Sequence, residues 1–261
     1  MKRLITGLVA LPLLIAFILK AGIFPFSCFI LVMTVLGLVE YYRMALPERR
    51  VEGLLATVVG TVFFSVIIFD LLPALLAFTF LVLFFGLLSL LKIRDIKDSA
   101  GEAALFLLGI LYVPLLMSHL ASLRGMSHGV EWIFLLLLIV MSGDTAAFYV
   151  GSSLGRRKLY PIVSPKKSVE GMLGGLAGSI AGTFIAKATF FPELSPLDCV
   201  ATALLVGLLG QLGDLFESLL KRSFGVKDSG TIFPGHGGVL DRLDSILFAA
   251  PTLYLYARYL F

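Results

Sequence analysis

Two segments near the C-terminus carry polar side chains at the spacing of one helix face. Residues at i, i+3, i+4 and i+7 share a face of an α-helix. Four polar residues of the first segment have this spacing: Asp214, Glu217, Ser218 and Lys221. The second segment repeats the start of the pattern with Asp241, Asp244 and Ser245. Carboxylates so arranged suit Mg²⁺ or a similar hard cation, which shares its remaining positions with phosphates and water.

These acids lie within or beside long apolar runs. A carboxylate at the centre of a membrane helix costs about 2.5–3.5 kcal/mol even on insertion scales, so it usually faces a polar cavity or a partner. The two segments belong to consecutive, antiparallel helices, and a cation between their acidic faces would relieve the repulsion. The alternative is a structural ion pair between an Asp and a Lys of this cluster, which leaves the connecting loop unexplained.

The loop between the two segments is rich in Lys, Gly, Pro and His. It contains Lys227 and Asp228, followed by Pro-Gly-His-Gly-Gly at residues 234–238. Glycine allows close backbone approach, so that N–H groups can point at phosphate oxygens while lysine supplies positive charge. This composition predicts a phosphate-binding loop. His236 is a candidate functional residue in it, because it lies beside two glycines and the carboxylates.

A second polar cluster precedes this loop, between residues 143 and 171. It begins with Asp144 and continues with the basic run 156–158 and the segment 164–171, Ser-Pro-Lys-Lys-Ser-Val-Glu-Gly. The cluster offers an acid, lysines and serine to one membrane face. Its lysines alternatively serve only to orient the protein in the membrane, which leaves Asp144 and the Ser-Pro turn unexplained.

Apolar helices must position these clusters. The chain is 59% hydrophobic, with a mean hydropathy of +1.01, and apolar runs of about 17–25 residues recur as membrane-spanning helices require. We predict an all-α, polytopic transmembrane helix bundle. About nine spans are expected, at residues 4–19, 23–42, 53–69, 71–91, 103–122, 131–151, 171–191, 197–222 and 240–260. They form one continuous membrane domain, with N-terminal helices in residues 1–130 and catalytic helices with cytoplasmic loops in residues 131–261.

Glycine spacing predicts one close contact between these helices. Gly174, Gly178 and Gly182 recur every fourth residue, and small residues at this spacing let two membrane helices approach closely. The two cysteines, Cys28 and Cys199, match neither a disulfide framework nor a metal-ligand spacing. We therefore expect both thiols to be buried.

Lysine and arginine are concentrated at one end of the predicted spans. The side of the N-terminus holds 17 of the 21 and the other side holds 4. Because cytoplasmic loops carry such an excess, the N-terminus and both polar clusters are expected in the cytoplasm. The net charge of +4 is spread over short loops, so nucleic-acid binding is not expected.

The polar clusters together resemble the signature of a known family. The matching positions are Ser218, Leu220-Lys221-Arg222, Lys227-Asp228, Gly230, Phe233-Pro234, His236-Gly237-Gly238-Val239 and Asp241-Arg242-Leu243-Asp244. This pattern resembles the signature of phosphatidate cytidylyltransferases, also called CDP-diacylglycerol synthases. The segments 143–151 and 164–171 resemble the family's second conserved region, with Ser168 where Thr is expected more often. The specific resemblance covers about residues 140–245, and the first 130 residues match only as hydrophobic spans.

The resemblance implies transfer of the cytidylyl group of CTP to phosphatidic acid, giving CDP-diacylglycerol and pyrophosphate. It implies Mg²⁺ or a similar divalent cation bound by Asp214 and Asp241, with Asp144 and Asp244 as further candidate ligands and room for further cations. The candidate catalytic residues are Asp214, Asp241, Lys221, Arg222 and His236. The candidate substrate-binding residues are Ser164, Lys166, Lys167, Lys227 and Arg242.

The expected partners are CTP, phosphatidic acid and membrane lipids, in a bacterial inner membrane with the active site facing the cytoplasm. The sequence does not decide the oligomeric state, and a homodimer is one possibility. One alternative function is a CTP-dependent kinase of polyprenol or another lipid, which would form a lipid monophosphate. Another is a cation-coupled secondary transporter, which predicts inverted repeats and polar residues in both halves of the bundle. The acidic faces here lie in the C-terminal half.

Overall fold

Helices dominate the chain, which confirms the predicted all-α class. The computed structural model describes residues 12–92, 95–232 and 237–261. Within these ranges, seven helical segments are long and apolar enough to cross a membrane, by length and composition. The chain forms two compact units. Their described parts are residues 22–121 with 228–241, here the N-terminal unit, and residues 12–21, 122–227 and 242–261, here the C-terminal unit.

The N-terminal unit is built from helices joined by short turns. Its helices are α2 (Ile23–Ala45), α3 (Arg50–Ile68), α4 (Ala74–Leu91), α5 (Ile96–Tyr112) and most of α6 (Pro114–Arg124). Helix α5 ends before Pro114, because proline has no N–H to donate and its ring collides with the carbonyl one turn earlier. One predicted span, 103–122, is therefore two consecutive helices in the structure.

A buried pair of tyrosines joins α2 to α5. Tyr41 and Tyr42 donate hydroxyl hydrogen bonds to the carbonyls of Leu105 and Phe106, at 3.1 and 2.8 Å. Gly109 permits this approach, since a Cβ there would collide with both rings. A buried hydroxyl costs free energy unless it is hydrogen-bonded. These bonds therefore hold the C-terminal end of α2 against α5.

The C-terminal unit contains four long helices and one small sheet. Its elements are α1 (residues 12–20), α7 (Gly129–Leu154), β1 (Lys158–Tyr160), β2 (Ser164–Ser168), α8 (Val169–Thr189), α9 (Pro196–Ser223) and α10 (Leu240–Tyr259), of which α10 begins in the N-terminal unit. Helix α9 starts with a capping box, in which Ser195 and Asp198 each accept a backbone N–H of the other. Such reciprocal bonds satisfy N–H groups that the first turn leaves without partners.

Helices α7 and α8 pack closely through glycine, as the spacing of small residues predicts. Gly174 lies against Val150, and a Cβ added to this glycine would collide with that side chain. Gly178 lies in the same way against Ala146. Gly182 continues the stripe against the preceding turn of α7. The prediction of a close helix contact at these three glycines is confirmed.

A short β-hairpin connects α7 to α8. Lys158 pairs with Ser168 and Tyr160 pairs with Ser164 in antiparallel register. The side chain of Ser168 accepts a hydrogen bond from Gly171 N, at 3.1 Å, and caps α8. Serine and threonine both cap helices in this way, so serine at this position keeps the function that threonine would have. The hairpin places the segment 164–168 at a defined position instead of in an irregular loop.

Most predicted spans correspond to helices. Residues 1–11, which hold half of the first predicted span, lie outside the described residues. Helix α10 matches the last predicted span, yet it is not among the seven apolar segments. Its first turns carry Asp241, Arg242 and Asp244, which lower its hydropathy. The span count of nine and the cytoplasmic N-terminus stay predictions.

Candidate active site

The C-terminal unit contains a cavity of about 520 Å³ between α7, the hairpin, α8 and α9. Its polar lining consists of Asp144, Ser152, Lys158, Lys166, Lys167, Ser168, Gln211 and Asp214. Its apolar lining includes Phe148, Leu159 and Met172. A largely apolar cavity with a few charged groups suits a ligand that has an anionic head and an apolar body.

An ion pair joins the hairpin to α9 at this cavity. The ammonium Nζ of Lys167 lies 2.7 Å from Oδ2 of Asp214. Both side chains keep about a third of their surface exposed, at 29% and 30%. Ion pairs this open contribute only about 0–1 kcal/mol to stability, because water screens them. Both charges can therefore change partner at small cost when an anion or a cation enters the cavity.

Three carboxylates of the C-terminal unit act on one another electrostatically. They are Asp144 on α7, Asp214 on α9 and Asp244 on α10. Two lysines oppose this negative charge, since Lys167 acts on Asp144 and Lys221 acts on Asp244. Neighbouring carboxylates repel one another more strongly in protein than in water. A further cation at this cluster would therefore reduce the repulsion among its carboxylates.

The donor set of this cluster fits a hard divalent cation. The three groups are all carboxylates, whose oxygens Mg²⁺ prefers over nitrogen or sulfur. Among the described residues, no three His, Cys, Asp or Glu side chains form a group that could hold a metal ion by themselves. Mg²⁺ usually keeps several waters and is bound through one or two carboxylates and substrate phosphates. Asp214, with Asp144 and Asp244 as its neighbours, can supply the one or two carboxylates that such a site needs.

Lys221 has a different environment from Lys167. It forms an ion pair with Glu217, one turn earlier on the same helix. Glu217 is only 1% exposed and Lys221 is 9% exposed. A buried charge without a partner is strongly destabilising, so each of these residues needs the other. The polar face of α9 thus divides into Asp214, which pairs with Lys167, and the internal pair Glu217–Lys221.

Asp241 organises the loop that precedes α10, within the N-terminal unit. Its Oδ2 accepts hydrogen bonds of 2.8 Å from Ser229 N, Ser229 Oγ and Gly238 N. Gly237, with φ at +81°, adopts the left-handed conformation that glycine tolerates best. Because Asp214 belongs to the C-terminal unit, the predicted joint binding of one Mg²⁺ by Asp214 and Asp241 stays a prediction.

Glu40 of α2 binds the same loop. Its carboxylate accepts backbone N–H groups from Val239 and Leu240, both at 2.9 Å, and its Oε2 lies 3.1 Å from Ser229 Oγ. Glu40 is 3% exposed. The sequence suggested no such role, because its partners follow it by about 200 positions and α2 resembles an ordinary apolar span.

The remaining predicted site residues have varied surroundings. Ser164 is half-buried on β2, whereas Lys166 is exposed at the cavity. Arg222 is exposed and its Nη1 donates a hydrogen bond to the carbonyl of Val226, at 3.0 Å. Lys227 and Arg242 are exposed. The predicted His236 lies outside the described residues.

Lys158 and Gln211 line the cavity but were not among the predicted site residues. Lys158, on β1, belongs to the basic run of the second polar cluster but is not one of the predicted substrate-binding lysines. Gln211 lies one turn before Asp214 and donates a hydrogen bond from Nε2 to the carbonyl of Met172, at 3.3 Å. A polar residue three positions before Asp214 shares its helix face, so this spacing could have indicated Gln211.

Comparison with known proteins extends the similarity to nearly the whole chain. The model of the cytidylyltransferase family matches residues 1–260. A phosphatidate cytidylyltransferase of Bacillus subtilis (strain 168) is 34% identical over 265 residues, which cover 97% of this chain and 96% of that protein. A phosphatidate cytidylyltransferase of Staphylococcus aureus (strain COL) is 34% identical over 264 residues, with 96% of each chain covered. The chain belongs to the cytidylyltransferase family.

Proposed function

We propose that this protein transfers the cytidylyl group of CTP to phosphatidic acid, with CDP-diacylglycerol and pyrophosphate as products. The observation that carries this proposal is the cavity in which lysines, carboxylates and apolar side chains meet. The similar proteins of Bacillus and Staphylococcus, named phosphatidate cytidylyltransferases, support the same reaction.

The charges of the cavity suit two anionic substrates. CTP carries a triphosphate and phosphatidic acid carries a phosphate monoester, so the two repel each other in water. Lys158, Lys166 and Lys167 line the cavity and would reduce this repulsion through charge-assisted hydrogen bonds to phosphate oxygens. Phe148 and Met172 on the apolar lining would contact the glycerol or acyl part of the lipid.

The reaction needs no nucleophile from the protein. A phosphate oxygen of phosphatidic acid attacks the α-phosphorus of CTP, a new P–O bond forms, and the bond from the α-phosphorus to the bridging oxygen of pyrophosphate breaks. The attacking oxygen is already ionised, since phosphate monoesters have a second pKa near 6. Catalysis of such a transfer rests on positioning and on neutralising charge. Lysines that hold both phosphates in line supply both effects.

The metal would be held by Asp214, with Asp144 and Asp244 beside it. When bound, Mg²⁺ supplies neutralisation of the negative charge that accumulates on the phosphates. Asp241 is a further proposed ligand, on the family resemblance. Lys167 competes for Asp214 in the structure, so a cation at Asp214 would release the ammonium of Lys167 for a substrate phosphate.

The cavity is proposed to open to the cytoplasm of a bacterial cell. The seven apolar segments support a multi-pass membrane protein. Lys158, Lys166 and Lys167 belong to the side with 17 of the 21 basic residues, and such an excess is typical of cytoplasmic loops. CTP dissolved in the cytoplasm and phosphatidic acid in the inner leaflet would then reach the cavity from the same side.

A product assay tests the proposed function. Purified protein in detergent is incubated with cytidine-labelled CTP, Mg²⁺ and phosphatidic acid. We expect labelled CDP-diacylglycerol and an equal amount of pyrophosphate. A CTP-dependent lipid kinase would release labelled CDP and leave the lipid unlabelled, and a transporter would leave CTP intact. Either result would contradict the proposal.

A further inference from the structure

A buried carboxylate, Glu40, and a half-buried one, Asp241, are joined through one shared serine, Ser229. Ser229 Oγ lies 2.8 Å from Asp241 Oδ2 and 3.1 Å from Glu40 Oε2. A hydroxyl has a single proton to donate, so the two carboxylates share it. Each also accepts two backbone N–H groups: Glu40 from Val239 and Leu240, and Asp241 from Ser229 and Gly238.

Glu40 acts as an N-terminal cap for α10. The first N–H groups of a helix have no partner within it, and a carboxylate near them is favoured by the helix dipole. The acid that meets this need is usually a nearby residue of the same chain segment. Here it comes from α2, about 200 residues earlier, and binds the N–H of Leu240, the first residue of α10.

Glycines of the signature segment make room for this carboxylate. A Cβ added to Gly230 would collide with Glu40 Oε1. A Cβ added to Gly238 would collide with both Glu40 oxygens and with Ser229 Oγ. These glycines and Glu40 are therefore complementary in shape, in addition to the hydrogen bonds that Glu40 accepts.

We infer that Glu40 is a positioning residue for the reaction, which holds Asp241 and the first turn of α10 in place. It acts through Ser229, Val239 and Leu240, which its carboxylate binds. The N-terminal unit thereby contributes to catalysis, in addition to anchoring the protein in the membrane. This inference rests on the proposed function, because it assigns Glu40 to that same reaction.

The test compares Glu40→Gln with Glu52→Gln in the full-length protein in detergent. Glu52 is a second buried acid of the N-terminal unit, 3.7 Å from Arg49. Misplacing a catalytic group by about 1 Å can cost about 100-fold in rate. We expect Glu40→Gln to lower kcat by about 100-fold, and Glu52→Gln to change it less than about threefold.

Hydrogen exchange separates positioning from a general loss of stability. In Glu40→Gln, amides of residues 229–232 and 237–240 should exchange faster, while those of α3 and α5 keep their wild-type rates. Faster exchange throughout the N-terminal unit with wild-type kcat in the folded fraction would overturn the inference. Unchanged exchange at residues 229–232 and 237–240 would overturn it as well. This readout needs no turnover, so it is independent of whether the wild-type protein forms CDP-diacylglycerol.

Ser229→Ala provides a milder variant in case Glu40→Gln does not fold. It removes the shared hydroxyl but leaves the backbone bonds to both carboxylates. We expect a loss of about tenfold in kcat, in line with one missing hydrogen bond to a charged group. In the Glu40→Gln background the same change should cost clearly less, because both residues act through one contact. Full additivity, or wild-type kcat in Ser229→Ala, would count against the inference.

Discussion

At the scale of single residues, environment distinguishes lysines that look alike in the sequence. Lys167 is partly exposed at the cavity and pairs with Asp214. Lys221 is buried and pairs with Glu217 on its own helix. A partly exposed ammonium can exchange its partner for a substrate phosphate, whereas a buried one would leave an uncompensated carboxylate behind. We therefore assign the phosphate contacts to the hairpin lysines in preference to Lys221.

Neutralising the hairpin lysines should lower activity without unfolding the protein. Lys166→Met and Lys167→Met each remove a charge-assisted bond to phosphate, worth about 1.5–3 kcal/mol. The expected loss in kcat/KM is about 10- to 100-fold. Lys97→Met is the matched control, since Lys97 is exposed and predicted on the same membrane side but does not line the cavity. Wild-type kinetics in both single variants and in the double variant would show that these lysines serve only to orient the protein in the membrane.

Asp214→Asn and Asp241→Asn should each abolish most activity. Asparagine keeps the shape of aspartate but loses the charge that binds the cation, and we expect a loss of at least about 100-fold. If both acids serve one ion, the double variant should be little worse than either single variant. Raising the Mg²⁺ concentration should partly restore Asp214→Asn. Asp98→Asn, at an exposed acid of α5, is the control.

Thermal unfolding in detergent completes this test. The pair Lys167–Asp214 is partly exposed, so its loss should lower the free energy of unfolding by no more than about 1 kcal/mol. A large fall in Tm for Asp214→Asn, with an activity that Mg²⁺ does not affect, would favour a structural ion pair over a metal ligand. Full activity in either single variant would contradict the assignment of Asp214 and Asp241 as metal ligands.

At the scale of elements, helix packing positions the cavity. Helix α7 carries Asp144 and α8 follows the hairpin, and their close contact depends on glycines of α8. The hairpin register then sets where Lys166 and Lys167 lie relative to α9. An element that shifts by one residue would move these lysines away from the cavity.

Gly178→Ala should disturb the contact between α7 and α8. The added Cβ would meet Ala146 and the carbonyl of Ser142, and such overpacking costs about 1–3 kcal/mol. We expect a lower Tm and reduced activity. Gly86→Ala on α4 is the control, because a Cβ there has no neighbour within 4 Å, and alanine favours the helix. Equal Tm values for the two variants would contradict the predicted role of Gly178.

At the scale of the whole molecule, the membrane orientation decides which substrate pool is accessible. The basic loops predict a cytoplasmic hairpin and a cytoplasmic segment before α10. Ile162 is 89% exposed and Ile232 is 48% exposed, so cysteines at these positions should react with a soluble thiol reagent. The background for this test lacks Cys28 and Cys199.

Labelling of Ile162→Cys and Ile232→Cys should occur only from the cytoplasmic side. An impermeant reagent added to intact cells should leave both unlabelled, and lysis should expose them. Ser127→Cys, in the turn before α7, should show the reverse pattern because it lies on the side with few basic residues. Labelling of Ile162→Cys in intact cells would overturn the orientation and the access of cytoplasmic CTP.

The sequence by itself determined the properties that depend on near neighbours along the chain. Apolar runs of sufficient length predicted the spans, because a bilayer imposes one length on every helix that crosses it. Helical periodicity placed Asp214 and Lys221 on the same polar face. Glycine spacing predicted the contact that Gly174, Gly178 and Gly182 make, because small residues remove the steric barrier to close approach.

Only the tertiary structure decided which of these side chains become partners. Asp214 pairs with Lys167 rather than with Lys221, because the hairpin brings β2 to α9 while Lys221 is buried beside Glu217. Glu40 holds residues about 200 positions later, which no local pattern indicates. Periodicity describes one helix at a time, whereas these partnerships follow from how helices pack and where loops return. Long-range contacts of charged side chains are therefore determined by the fold.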